Sequence, residues 1–396
     1  MHAPQRHNNV PYPPTGAWSP DQQPGHRQFH TFATQRPFSL EGGGSLRDVT
    51  IAYETWGTLD AEATNAVLVC HAWTGDAHVS GPASKGHPTP GWWEGVVGPG
   101  QAIDTSKYFV VCANILGGCQ GTTGPSSAHP DDGLPYALRF PVVTIRDIVR
   151  SQASLADALG IEAWRAVVGG SMGGMQALEW AITYPKRVKA LIAIATCAEA
   201  SAQQIAWGSI GRRALLMDPA YNEGNYYDAE LDHGPWLGLA VARMIAQVTF
   251  RTDTKFNERF GRRLTHNNFH DEGIDLFSTF DVEGYLDYHG DKLVRRFDAN
   301  SYLYIGKSMD LHDVGRGRGG MDAALARIIA PTLTISIDSD ILYPAYQQEM
   351  IHSRIKNSDP RNTHAVIHSP EGHDGFLIET QAVGFQISEF LKATDS

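Results

Sequence analysis

The amino-acid sequence predicts an α/β fold: a mostly parallel central sheet flanked by helices, with a helical insertion late in the chain. Three observations carry this. Short continuous apolar runs recur, as in strands buried on both faces. Helical patterns alternate with those runs, which sets the strands side by side in parallel. From about residue 198 to 327 the strand rhythm stops, and helical patterns with long polar turns replace it.

Taken in order, residues 1–28 are rich in Pro, Gln, His and Asn and read as a loose arm. A β-hairpin follows, with residues 38–40 and 49–53 as its arms and Gly42, Gly43 and Gly44 in its turn. Residues 66–70 and 109–113 are buried strands, and 166–168 and 190–195 are two more. Between them, Ile145, Ile148, Val149, Leu155 and Leu159 mark one face of a helix over 145–159. A second helix runs from Met172 until Pro185 stops it. Helices over 205–216, 236–250 and 321–329 fall in the insertion. Strands at 333–337 and 365–367 and a helix over 376–391 complete the core. The core is therefore expected at 29–197 and 328–396, with a helical lid at 198–327.

The chain of 396 residues is 42% apolar and 19% charged, enough for a sizeable core and unlike a disordered protein. Lys and Arg total 32 against 43 Asp and Glu, a formal net charge of -11. That argues against nucleic-acid or membrane-surface binding, both of which need clustered positive charge. An anionic substrate would need a local basic pocket. The four cysteines are scattered and form no CxxC pair, so neither a disulfide framework nor a zinc site of that type is expected. With no secretory h-region and no apolar run near ~18 residues, the expected location is the cytoplasm.

Gly169-Gly170-Ser171-Met172-Gly173 fits G-x-S-x-G and lies between a strand and a helix. Such a sharp turn strains the serine and lifts its oxygen above the sheet, with the N–H of Met172 aimed at the same point. Glycines flanking it allow strand and helix to approach. A serine hydroxyl needs a base and an acid behind it, here in the order Ser, Asp, His. His373 follows the last strand and opens the final helix, where the base belongs. Asp340 lies just beyond the strand at 333–337, with Asp338 as its nearer rival. The loop from His71 to His78 follows an early strand, so the N–H of Trp73 is the second expected oxyanion donor. His71, Asp76 and His78 make a weak metal set, because no fourth ligand accompanies them.

Together, HAWTGDAH, NILGGCQGTTGPSS, GGSMGGMQALEW, RFDANSYLY, SDILYP and GHDGFL resemble the homoserine O-acetyltransferase family, from about residue 35 to the C-terminus. The resemblance implies an α/β-hydrolase fold, with Ser171 as acyl carrier, His373 as base and Asp340 as acid. It also implies that Asp374 binds the acceptor's amine and that Arg243 grips its carboxylate. An amino-acid acceptor needs one anion and one cation of this kind, and arginine suits carboxylate. On the helix over 236–250, Leu237, Val241, Ile245 and Val248 share an apolar stripe, while Arg243 lies off it on the side of Phe250. Phe250 departs from the family, which usually has tyrosine there. Arg316 and Arg318 could meet coenzyme A phosphates or form a polar turn.

The expected reaction is a two-step transfer of acetyl from acetyl-CoA to L-homoserine through acetyl-Ser171. It needs no metal or prosthetic group. A homodimer through the helical lid is expected from the resemblance. The rival readings are an esterase on the same triad, a serine acceptor or succinyl donor, and a non-catalytic binding protein.

Overall fold

The apolar runs assemble into one eight-stranded sheet. The structure, a computed structural model, describes residues 10–265 and 278–395. Its strands are β1 (Gln28–Phe32), β2 (Val49–Trp56), β3 (Ala66–Cys70), β4 (Phe109–Ala113), β5 (Ala166–Gly170), β6 (Leu191–Ile194), β7 (Thr332–Ile337) and β8 (Thr363–Ile367). They lie in the order β1-β2-β4-β3-β5-β6-β7-β8, antiparallel across β1-β2-β4 and parallel thereafter. Period-two alternation shares β3 between two cores: Leu68 faces one apolar cluster, Val67 and Val69 the other. Both faces are covered, so β3 and β5 are buried along their whole length.

Helix α1 (Ile145–Ala158) starts where Thr144 accepts from Asp147 N and Asp147 returns the bond, a reciprocal cap. Helix α2 (Met172–Thr183) packs under the sheet and is buried from Met172 to Ile182. The insertion between β6 and β7 carries α3 (Ala202–Leu216), α4 (Trp236–Phe250), α5 (Asp253–Arg259), α6 (Asp281–Val294), α7 (Ala299–Asp310) and α8 (Met321–Leu325). Then come α9 (Ala345–Arg354), α10 (Gly375–Ile378) and α11 (Thr380–Thr394). Among the described residues no helix is long and apolar enough to cross a membrane.

Four expectations need correction. The arm is not loose from residue 10 onward. Tyr12 is buried with its hydroxyl on Asp291, Gly16 N donates to Phe297 O, and Trp18 N donates to Cys119 O. Its apolar and aromatic residues find partners far along the chain, which composition does not reveal. The hairpin is also misread. Phe38–Ser39 pairs with Ser45–Leu46, and Val49–Trp56 instead joins β1 and β4. The stripe on α4 is not its buried face: Leu237 and Val248 are exposed, while Gly238, Ala240, Ala242 and Ala246 are buried. Small residues win there because α4 must lie close to α3 and α6; a Cβ on Gly238 would meet Leu215 Cα at 2.8 Å. Finally, the closing helix is broken at Glu379, whose ψ of 50° leaves the helical region.

Candidate active site

β5 ends at Gly170, α2 begins at Met172, and Ser171 between them has φ 58° and ψ -125°. A non-glycine residue there costs about 1–3 kcal/mol, which the surroundings must over-determine. They do so with four bonds: Ser171 N donates to Ile194 O, and its carbonyl accepts from Gly174 N, Met175 N and Thr196 Oγ1. The approach of strand and helix leaves no space for side chains. A Cβ on Gly169 would lie 2.3 Å from Gly173 O, and one on Gly173 would lie 2.1 Å from Cys70 O. Met172 N–H belongs to the first turn of α2, whose N–H groups have no intrahelical acceptor.

The Ser171 hydroxyl lies 2.9 Å from His373 Nε2, and His373 Nδ1 lies 2.7 Å from Asp340 Oδ2. The other Asp340 oxygen accepts from Leu342 N and Tyr343 N, both at 2.8 Å. All three side chains are buried. The histidine ring is packed by Tyr343, Phe376 and Phe250, at centroid distances of 5.0, 5.4 and 5.8 Å. Asp338 turns away and holds the exposed His368 at 2.8 Å.

The loop carrying Trp73 is anchored on both sides. Before it, His71 Nδ1 lies 2.8 Å from Ala72 O while its Nε2 accepts from Ile115 N. Burial lowers the His71 pKa, which fits this neutral form. After it, Arg296 donates from both Nη atoms to Thr74 O, at 2.7 and 2.8 Å, and reaches Asp76 at 3.2 Å. Sequence reading missed this Arg296 anchor, because residues 74 and 296 meet only through the tertiary fold. Tyr343, the tyrosine of SDILYP, packs on the base, a contact its place in the motif does not reveal.

The set His71, Asp76 and His78 does not converge. His78 instead meets Glu54 at 2.9 Å and stacks on His87, ring centroids 3.9 Å apart and 9° from parallel. His87 Nε2 also lies 3.1 Å from Glu54 Oε1, so Glu54, His78 and His87 form a buried cluster whose ligand atoms lie within 4.8 Å of one another. Burial opposes charge on His78, but Glu54 outweighs it and raises the pKa; His87 is pushed down to about 4 by burial, Arg27 and His78.

A cavity of about 540 Å³ opens on the triad, between the sheet and the lid. Trp73, Phe250, Arg243 and Asp374 line it together with Ser171 and His373. The Arg243 guanidinium sits 5.1 Å from the Phe250 ring centroid and forms no ion pair among the described residues. Burial lowers its pKa against the pull of Asp374. Burial likewise raises the Asp374 pKa, and Arg251, Arg243 and His373 draw it back. Lys292 and Arg296 line the cavity too, alongside the carboxylates of Asp76 and Asp310; Arg296 pairs with Asp76, which leaves Arg243 and Lys292 as the cations without an ion pair among the described residues that an anionic group would meet. Arg316 and Arg318 point elsewhere. They pair with Glu41 and the buried Glu179, the polar-turn alternative.

Residues 65–379 match the family model described as alpha/beta hydrolase fold. The chain is 51% identical to the homoserine O-acetyltransferase of Thermobifida fusca, over 96% of this chain and 98% of that protein. It is 50% identical to the enzyme of that name from Clavibacter michiganensis subsp. michiganensis, over 96% of each. Among solved structures it is similar to homoserine O-acetyltransferase from Bacillus anthracis (TM-score 0.82, 28% identity, 92% of this chain and 97% of that one). It is equally similar to esterase E22 (TM-score 0.81, 29% identity, 92% and 99%).

Proposed function

The chain belongs to the homoserine O-acetyltransferase family, and from that premise we propose that it transfers acetyl from acetyl-CoA to the side-chain hydroxyl of L-homoserine, a step toward methionine. The observation that carries this reading is the meeting, in one cavity, of a hydrogen-bonded Ser171–His373–Asp340 chain with an arginine and an aspartate suited to an amino acid's two charges.

His373 Nε2 takes the proton of Ser171 as its oxygen attacks the thioester carbonyl. The N–H groups of Trp73 and Met172 hold the oxyanion. The intermediate collapses, the thiol leaves with the proton from His373, and acetyl-Ser171 remains. Homoserine then binds, its carboxylate on Arg243 and its ammonium on Asp374. Its hydroxyl gives a proton to His373 and attacks the acetyl carbonyl, and Ser171 departs with that proton. Asp340 orients the imidazole throughout and stabilises its charged form. No metal or prosthetic group enters.

Water competes with homoserine for the acyl-enzyme. The enclosed cavity supports transfer over hydrolysis: Phe250 of the lid and Trp73 and Tyr343 of the core line it beside Ser171, which favours an acceptor held in place. Phe250 lacks the hydroxyl of a tyrosine, and its ring face meets Arg243 instead. We also read the protein as a cytoplasmic homodimer joined through the lid; the exposed Leu237 and Val248 on α4 support such a contact.

The likeness to esterase E22 favours one second reading, a hydrolase on the same triad. Thiol release from acetyl-CoA with and without L-homoserine separates the two. The transferase releases thiol continuously only with the acceptor, whereas a hydrolase releases it at full rate alone. Comparing kcat/KM for acetyl and succinyl donors with homoserine and serine acceptors tests specificity, where one methylene is worth about 1–3 kcal/mol.

A further inference from the structure

Arg251, just past α4, grips the loop that carries His373 from both sides. Its Nη1 pairs with Glu371, and its Nε lies 3.2 Å from Asp374 Oδ2. One guanidinium thus spans the turn on which the base is mounted. The backbones touch as well: Gly372 has φ +69°, and a Cβ there would lie 2.8 Å from Phe250 O. Lys255 of α5 reaches Glu371 at 2.8 Å, which extends the pairing into the lid.

Four groups face Asp374: Arg251, Arg243 and Gln247 from the lid side, and His373 from its own turn. An acceptor's carboxylate would neutralise Arg243. Arg251 is then the remaining lid cation on Asp374. With Lys255 it makes two cations that share two carboxylates, Glu371 and Asp374, at this turn.

We propose that Arg251 is a positioning residue for acceptor recognition, keeping Asp374 as a charged partner for the acceptor's ammonium group and tying that partner to the lid. This rests on the transferase reading of Asp374 given above. Burial already drives the Asp374 carboxyl upward, so removing Arg251 drives it further.

The test compares L-homoserine with 4-hydroxybutyrate, which keeps the carboxylate and hydroxyl but has no ammonium group, in the wild type, Arg251→Met and Arg251→Lys. In Arg251→Met, KM for homoserine is expected to rise about tenfold or more with kcat within about threefold. That KM should fall as pH rises through values at which an ordinary aspartate is already charged, because the buried Asp374 regains its charge only there. kcat/KM for 4-hydroxybutyrate should hardly change, and Arg251→Lys should recover most of the loss. Equal losses for both acceptors, or an unchanged KM for homoserine, overturn the proposal. If Arg251→Met does not fold, Arg251→Gln takes its place in the same comparison: a homoserine-selective loss supports the proposal and equal losses overturn it. Wild-type Ser171 that takes no acetyl from acetyl-CoA would instead sink the transferase reading itself.

Discussion

The elbow at Ser171 and the lid above it meet in one cavity but are built differently. The elbow is local and steric. Five consecutive residues set its shape, and glycines at 169 and 173 are needed because backbone fills the space where a Cβ would go. The lid's hold on the site is non-local and electrostatic. Arg251 pairs with Glu371 and Asp374, and Arg296 holds the Thr74 carbonyl and Asp76. A steric device tolerates almost no substitution, whereas a network of charges can be retuned. The difference teaches why the chemistry sits on the first and substrate choice on the second.

The largest expected effect separates the two aspartates after β7. Asp340→Asn should lower kcat about 10⁴-fold, because the imidazole loses its orienting acceptor, while Asp338→Asn should stay within about threefold. Steady-state rates of both variants would check this, and equal losses would break the assignment.

Glycines sharpen the contrast directly. Gly173→Ala should cost about 3 kcal/mol in denaturant unfolding, since the clash is with the Cys70 carbonyl and no side chain can rotate away. Gly284→Ala in α6 meets nothing within 4 Å and should stabilise the protein by about 0.5–1 kcal/mol.

In the lid, Arg243→Met should raise KM for homoserine about 10- to 100-fold while acetylation of Ser171 by acetyl-CoA alone changes little. Acid should mimic a weaker form of this loss. Burial raises the Asp374 pKa, so the carboxylate is present at higher pH and is lost as pH falls through that raised value. KM for homoserine should therefore climb on acidification at pH values where an ordinary aspartate is still charged. A flat profile would mean that Asp374 does not meet the ammonium group. The smallest effect belongs to the outer face of α4. Val248→Ser should weaken self-association in sedimentation while leaving the rate per chain within about twofold.

The same contrast governs what the sequence disclosed. The apolar runs at β3 and β4 matched the strands because burial on both faces writes a continuous pattern. G-x-S-x-G was legible because one turn needs all five residues, and Asp340 and His373 could be sought by their places after β7 and β8. The buried face of α4 was not legible: close packing there selects Gly238, Ala240 and Ala242, which carry little periodic signal. The pairings of Arg251 and Arg296 were not legible, since their partners lie 120 and 220 residues away. The packed arm stayed hidden for the same reason: Tyr12 finds Asp291 only in the folded chain.

The most direct measurement is mass spectrometry of the protein and its peptides after rapid mixing with acetyl-CoA alone. One acetyl group per chain is expected, on Ser171, that persists until L-homoserine is added and then appears as O-acetyl-L-homoserine. Transfer to homoserine with no acetyl ever found on Ser171, or loss of the group to water as fast as homoserine removes it, would contradict it.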